Sequence, residues 1–442
     1  MMMVAGASQR RGWYHGWNIV AVCVLASAVG NGLSVNAFSL FLNDWSVQLH
    51  APISFFQLGL AALGLFSAVF SPFVGALADK HSARWLIVSG LVGIALFYLG
   101  VSFVTASWQL LALYMLLLPV SVAFSATLTA NAVVSRWFVR RLGLALGLTS
   151  FGLGLAGVIL PPIVAAVMPA FGWRTVWRFG GIFVAVIVVP LVLLIVRDRP
   201  TERDGLHYLT LDGVAPAVRA HGHSQGGTSD GLTWRDVLAR RNFWLLVAVY
   251  LPMLGLNGGC SNNLAPIAAV RGLSTQTAGI LLSAFSLAYV GATLIAGMLS
   301  DRFGNRVPLF GLAMATTVGG LMVAFGHGVA ALGVGVTLVG LSGGMWPLLA
   351  AAVATEFGAS GVGRAFGLLM MFLPVIVLSP FIVAKVHEST GSYEPALVGL
   401  AFLTFLGGAA CLLFMRERRG GRGTDAGQGV PGELKAVAMQ DG

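Results

Sequence analysis

Gly75-Ala76-Leu77-Ala78-Asp79-Lys80-His81-Ser82-Ala83-Arg84 and Gly297-Met298-Leu299-Ser300-Asp301-Arg302-Phe303-Gly304-Asn305-Arg306 are two versions of one phrase. Both read G-x-L-small-D-basic-x-x-x-R, 222 residues apart, and each closes one long apolar segment and opens the next. A second pair repeats at almost the same offset. Arg141-Leu142-Gly143-Leu144-Ala145-Leu146-Gly147 answers Gly363-Arg364-Ala365-Phe366-Gly367, with Gly147 and Gly367 220 residues apart. A period of about half the chain implies two copies of one bundle, and in a membrane protein such a repeat implies a pathway between the copies.

Composition agrees. Of 442 residues, 57% are hydrophobic and 10% charged, against roughly 25% charged in soluble domains. Apolar runs near 20 residues match a hydrocarbon core of about 30 Å, where only helices or closed barrels satisfy the backbone. Twelve such runs are read: 17–42, 53–78, 84–104, 108–135, 143–168, 174–196, 242–269, 274–300, 306–326, 329–357, 364–386 and 393–415. They are numbered spans 1 to 12 below. They lack the strict apolar/polar alternation of an outer-membrane barrel. The expected fold is therefore an all-α polytopic membrane protein of twelve helices in two pseudo-symmetric six-helix halves.

The net charge of +10 is a topology signal before it is a polyanion site. With both chain ends on one side, 22 of the 26 Lys and Arg fall on that side; only Arg174, Arg178, Arg271 and Lys385 fall on the other. The positive-inside bias then places both termini in the cytoplasm of a plasma (inner) membrane protein. No nucleic-acid partner is expected. Arg10 and Arg11 precede an apolar run of about 25 residues without a small-residue cleavage pattern, so the first helix reads as a retained span. Cys23, Cys260 and Cys411 lie singly in apolar segments. They read as core residues, with no disulfide framework, no metal site and no cofactor expected.

The domain plan follows: 1–16 an N-terminal segment, 17–196 the first six-helix bundle, 197–241 a linker, 242–415 the second bundle, 416–442 a disordered tail. The linker opens on Arg197-Asp198-Arg199-Pro200, continues through Glu202, Arg203 and Asp204, and runs into Gly, Ser and His; that is a hydrated composition. Its His207, His221 and His223 lack Cys or carboxylate companions at ligand spacing. Thr233-Trp234-Arg235-Asp236-Val237-Leu238 reads as a short amphipathic helix at the interface.

The doubled motif has a physical reading. Gly75 and Gly297 would let spans 2 and 8 approach a neighbour closely. Asp79 and Asp301, at the ends of their own helices, are better placed against another helix's N-terminus or an arginine. With Lys80, Arg84, Arg302 and Arg306 they form a candidate gate on the cytoplasmic side; the alternative is a loop whose charges only fix topology. The motif, in a six-loop-six plan, resembles the major facilitator superfamily of secondary transporters over residues 13–415, with Ser82 where that family usually has glycine. Trp13-Tyr14-His15-Gly16-Trp17 before span 1, and Ser135-Arg136-Trp137-Phe138-Val139-Arg140-Arg141-Leu142-Gly143-Leu144-Ala145-Leu146-Gly147 before span 5, look like the signatures of its monocarboxylate porter and oxalate/formate antiporter branch. That resemblance implies a small organic anion, a mono- or dicarboxylate, moved by symport or antiport through alternating access. The sequence departs from the branch where it tends to carry charge. Asn36 (or Val35) stands at a lysine position of span 1, and Tyr289 and Thr293 stand at an Asp and an Arg position of span 8. With no charge deep in any span, Arg136 and Arg271 become the candidate anion partners, with Arg174 and Arg178 also near membrane faces.

The resemblance also implies a cavity faced by spans 1, 4, 7 and 10. Polar residues there are costly in lipid unless they face a pathway or tie helices together. The candidates are Asn31 and Asn36, Asn131, then Asn257, Asn262 and Asn263 around Gly258-Gly259, with Tyr289 and Trp346. The two glycines are expected to weaken span 7 locally. Glu356 is expected to pair with Arg364 or to sit at the membrane surface, and Trp173, Arg174 and Arg178 to anchor span 6 at the interface. No metal pair, nucleophile with base, or phosphate-binding loop is present, so an enzyme or a primary pump is not expected. The partners expected are the bilayer, a small solute and a coupling ion, with the chain as a monomer. The alternatives are a transporter of a neutral or drug-like molecule and a solute sensor that does not transport.

Overall fold

The structure is a computed structural model that describes residues 14–80, 82–125, 129–130, 133–134, 137–138, 142–197 and 234–415. Most of the N-terminal segment, most of the linker, its histidines, the tail, Asn131 and Arg136 lie outside them. Everything regular among the described residues is helix, and ten helices are long and apolar enough to cross a membrane. One of the ten, Leu144–Ile195, is 52 residues long. It holds spans 5 and 6, divided at Gly172, whose φ of 73° and ψ of 157° are not helical. Span 2 is the helix Ile53–Lys80, which brings the twelve expected spans together.

An even number of spans leaves both ends of the bundle on one face, called proximal here; the opposite face is distal. Span 1 runs from Gly16 to Asn31 as α-helix, passes a π-helical turn at Gly32–Asn36 and continues as Phe38–Gln48. Span 7 is Arg241–Asn262, prolonged distally by Leu264–Val270. Span 8 is Thr275–Phe303. Span 10 passes through a 3₁₀ turn at Leu341–Gly344 into the helix Met345–Met370, which runs on into the start of span 11. Span 11 ends with Ser379–Thr390 and span 12 is Glu394–Phe414.

The packing shows where the halves join. One continuous apolar core takes in the N-terminal half and the distal part of the C-terminal half, including Leu256, Leu264, Leu281 and Val383. A second core, around Phe243, Tyr250, Leu348 and Leu369, belongs to the proximal part of the C-terminal half alone. The distal end of the first half is densely aromatic. Trp45 is fully buried, stacked with Phe41 at 5.6 Å and with Trp177 at 6.0 Å. Trp173, expected to anchor at the interface, is 1% exposed, and its indole N–H donates to Gln48 at 2.9 Å. It is a core residue, and the surface role passes to Arg174, which lies 4.2 Å over its ring.

Candidate functional site

Between the halves lies a cavity of about 340 Å³, lined by Asn31, Val35 and Asn36 of span 1, Gly154 of span 5, Asn257, Ser261 and Asn262 of span 7, and Leu282, Phe285, Ser286 and Tyr289 of span 8. A second chamber of about 270 Å³ shares Val35, Asn257, Asn262 and Tyr289 with it and adds Gly258, Trp346 and Pro380. The shared lining makes them two lobes of one space. Among the described residues around both lobes there is no Asp, Glu, Lys, Arg or His.

Local backbone irregularity puts the polar groups there. Span 1 reaches the cavity where its helix widens to the π turn Gly32–Asn36. Such a turn disturbs the regular ladder, and in a membrane the affected carbonyls need partners. Tyr114 donates its hydroxyl to the Ser34 carbonyl at 3.1 Å, and Tyr98 donates to the Val29 carbonyl at 2.5 Å. A Cβ at Gly32 would stand 2.2 Å from a terminal methyl of Leu160, so a larger residue there would have to displace that side chain. On span 8, Thr293 bonds the Tyr289 carbonyl at 2.8 Å and the Gly343 carbonyl at 3.0 Å, fixing span 8 against the 3₁₀ turn of span 10. The indole N–H of Trp346 then donates to the Tyr289 hydroxyl at 2.8 Å. The tyrosine oxygen is thereby held as an acceptor, which leaves its own proton to give.

The structure brings Asn31, Asn36, Asn257, Asn262, Tyr289 and Trp346 to this space. Asn257 donates from Nδ2 to Ser342 Oγ at 2.6 Å, and Asn31 donates to the Ser27 carbonyl at 3.3 Å. Asn263 is a correction. It is fully buried, donates to the carbonyls of Gly259 at 3.0 Å and Pro380 at 3.1 Å, and accepts from Gln57 at 3.0 Å. It ties helices together and lines neither lobe. Span 7 also differs from expectation: its helix is unbroken through Gly258-Gly259 and breaks only after Asn262. The glycines serve proximity to span 11, since a Cβ at Gly259 would lie 2.9 Å from Val383.

Arg271 is the second correction. Its guanidinium donates to the carbonyls of Val323, Ala324 (2.9 Å) and Gly326 (2.7 Å), the end of the span 9 helix Arg306–Phe325. Burial lowers its pKa and Glu394 opposes the shift. Its donors are engaged on a helix C-terminus, where a cation is favourable, rather than aimed at the cavity. Arg174 is likewise engaged, with Gln48 and the Val104 carbonyl at 3.1 Å. Glu356 accepts from Arg240 at 3.3 Å and from Asn242 at 2.7 Å, so its ion pair reaches across to the start of span 7.

The doubled motif lies on the proximal face. Asp79, Lys80 and Asp301 fall within helices, and their side chains lie outside those described, as does anything around Gly75. Arg84 donates to the Leu193 carbonyl at the end of span 6. Arg302 lies 5.6 Å over Phe303, while Arg306 heads span 9. Gly304 has a φ of 75° and a ψ of −174°, a positive-φ conformation that glycine adopts without strain, while Ser82 has a φ of −62° and a ψ of 122°. The two copies of the phrase therefore turn differently. Among the described residues nothing lies within 4 Å of a Cβ built on Gly297; the close approach expected there is not seen.

Sequence reasoning missed Gln57, Phe285 and Ser286. Gln57 is fully buried, and its Nε2 donates to the Asn262 carbonyl at 2.9 Å and to Asn263 Oδ1 at 3.0 Å. Its Oε1 has no hydrogen-bond partner among the described residues. A lone amide in the apolar run of span 2 was the available signal. The geometry of the Tyr289–Trp346 pair gives an expected result. Trp346→Phe keeps an aromatic side chain, though a smaller one, and removes the indole N–H donor, a neutral hydrogen bond worth about 1 kcal/mol. The affinity of the cavity for a bound solute should fall about fivefold, read from its binding isotherm, with thermal stability nearly unchanged.

A family model described as Major Facilitator Superfamily matches residues 22–276 and 253–438. The chain is 22% identical to the uncharacterized MFS-type transporter YcxA of Bacillus subtilis, over 82% of this chain and 84% of that protein. It is 28% identical to Monocarboxylate transporter 11 of Homo sapiens, over 88% of this chain and 80% of that one. In fold it is similar to a bacterial homolog of the human lysosomal transporter Spinster, crystallised in an inward-facing, unoccupied conformation. The TM-score is 0.68 at 14% identity, covering 90% of this chain and 96% of that one.

Proposed function

The chain belongs to the Major Facilitator Superfamily, and on that premise we propose that it is a secondary transporter carrying a small, polar organic solute without net charge. It works by alternating access of its two halves around the two-lobed cavity. The observation that carries this reading is the lining: asparagines, serines and a tyrosine, with no charged side chain among the described residues. A carboxylate taken into a low-dielectric space needs a compensating charge, and Arg271 is committed elsewhere. Amide and hydroxyl groups instead offer both donors and acceptors, which suits a solute with hydroxyl or amide groups.

A mono- or dicarboxylate is the second reading. It is favoured by the basic, aromatic segment Ser135–Gly147 and by the likeness to a protein named as a monocarboxylate transporter. In that reading Arg136 is the charged partner. On either reading the positive-inside bias supports cytoplasmic termini in an inner membrane, the doubled Asp motif supports a gate on that face, and the chain works as a monomer with a coupling ion or a counter-solute. Uptake into proteoliposomes decides between the two, using a panel of labelled neutral hydroxyl and amide solutes alongside lactate-like acids and dicarboxylates. Uptake of neutral solutes, unchanged by Arg136→Gln, is the expected result. Uptake restricted to carboxylates and abolished by Arg136→Gln would establish the second reading instead.

A further inference from the structure

A charged polar tie between the two halves lies on the distal face, away from the doubled motif. Glu388, near the distal end of span 11, accepts from the Ser54 backbone N–H at 2.9 Å and from the Ser54 hydroxyl at 2.8 Å. Ser54 is the second residue of the span 2 helix and is 3% exposed. The carboxylate of one half thus caps a helix N-terminus of the other, where orphan amides and the helix dipole both favour negative charge. Its third partner comes from its own helix: Lys385, three residues earlier, reaches Glu388 Oε2 at 3.2 Å.

We propose that Glu388 is a positioning residue of the transport cycle, latching the distal face through Ser54 and passing to Lys385 alone when that face opens. Separation of spans 2 and 11 breaks both Ser54 bonds, because they cross between the halves. The bond to Lys385 travels with the helix. Opening therefore does not strand an unpaired carboxylate, which would be costly. The two kinds of partner must then act in opposite directions. Ser54 contributes only to the closed arrangement. Lys385 contributes to both, and more to the open one, where it is the remaining protein partner.

The test reads distances and needs no knowledge of the solute. Spin labels are placed at Val47→Cys and Ser389→Cys, on the distal ends of the two halves, in the full chain with Cys23, Cys260 and Cys411 replaced, and pulsed dipolar distances are recorded in nanodiscs. Glu388→Gln should raise the long-distance population about fivefold or more. Ser54→Ala, which keeps the backbone donor, should raise it less. Lys385→Ala should lower it. If Glu388→Gln fails to give a monodisperse protein, the opposed shifts of Ser54→Ala and Lys385→Ala decide. Unchanged distances in Glu388→Gln and Ser54→Ala, or a rise in Lys385→Ala, would overturn the latch.

Discussion

Replacing Gly279 with leucine should abolish transport and lower the thermal stability of the purified protein, whereas leucine at Gly291 of the same helix should be tolerated. A Cβ at Gly279 would stand 2.5 Å from the Ala165 Cβ and 2.8 Å from the Pro161 carbonyl oxygen. One of those atoms is backbone and cannot rotate aside. Overpacking of this kind costs about 1–3 kcal/mol, and here it falls on the pair of spans, 5 and 8, that joins the halves beside the cavity. The same pair carries the Ser283 hydroxyl bond to the Val158 carbonyl at 2.6 Å. No described atom lies within 4 Å of a Cβ at Gly291. Melting temperature and proteoliposome uptake of the two variants check this directly, and equal tolerance at both positions would show that spans 5 and 8 do not depend on their close approach.

That contrast also marks how far the sequence could be read. The spans were legible because a hydrocarbon core imposes length and composition, and the halves because the phrase at Gly75 recurs at Gly297. Which glycine is packed was not legible. Gly297 sits in the motif and has open space among the described residues, while Gly279, in no motif, meets backbone. Close approach is a property of two helices together, and one helix's sequence carries half of it. The cavity was partly legible, since asparagines in apolar runs are costly enough to need a reason. Asn263 met that requirement by bonding its neighbours instead. Arg271 looked available for an anion because the carbonyls that hold it, at 323, 324 and 326, are distant in sequence. Gln57 was passed over because a single amide in a 28-residue helix makes no pattern.

Cysteines at 257 and 262 should react with a small, water-soluble thiol reagent at least about tenfold faster than a cysteine at 263, with Cys260 replaced in the background. Asn257 and Asn262 line both lobes of the cavity, whereas Asn263 has 0% exposure one residue further on. Reagent reaches only groups that water reaches, so the rates map the hydrated face of span 7. A transported solute should slow the reaction at 257 and 262 and leave 263 unaffected. Equal rates at 262 and 263 would mean that the break after Asn262 is itself hydrated, and the binding space would then extend to the distal tie.

The Oε1 of Gln57, without a partner among the described residues, has a consequence for hydration. A buried acceptor without a donor costs about 1–3 kcal/mol, and the cheapest remedy is a water molecule, which enters once spans 2 and 7 part. On the proposed distal latch, opening would also be a wetting step, in which Gln57, Asn262 and Asn263 exchange one another for solvent. Its equilibrium must then depend on water activity. Solutes excluded from protein surfaces strengthen burial, so osmotic stress would favour the closed arrangement in which Gln57 is dry.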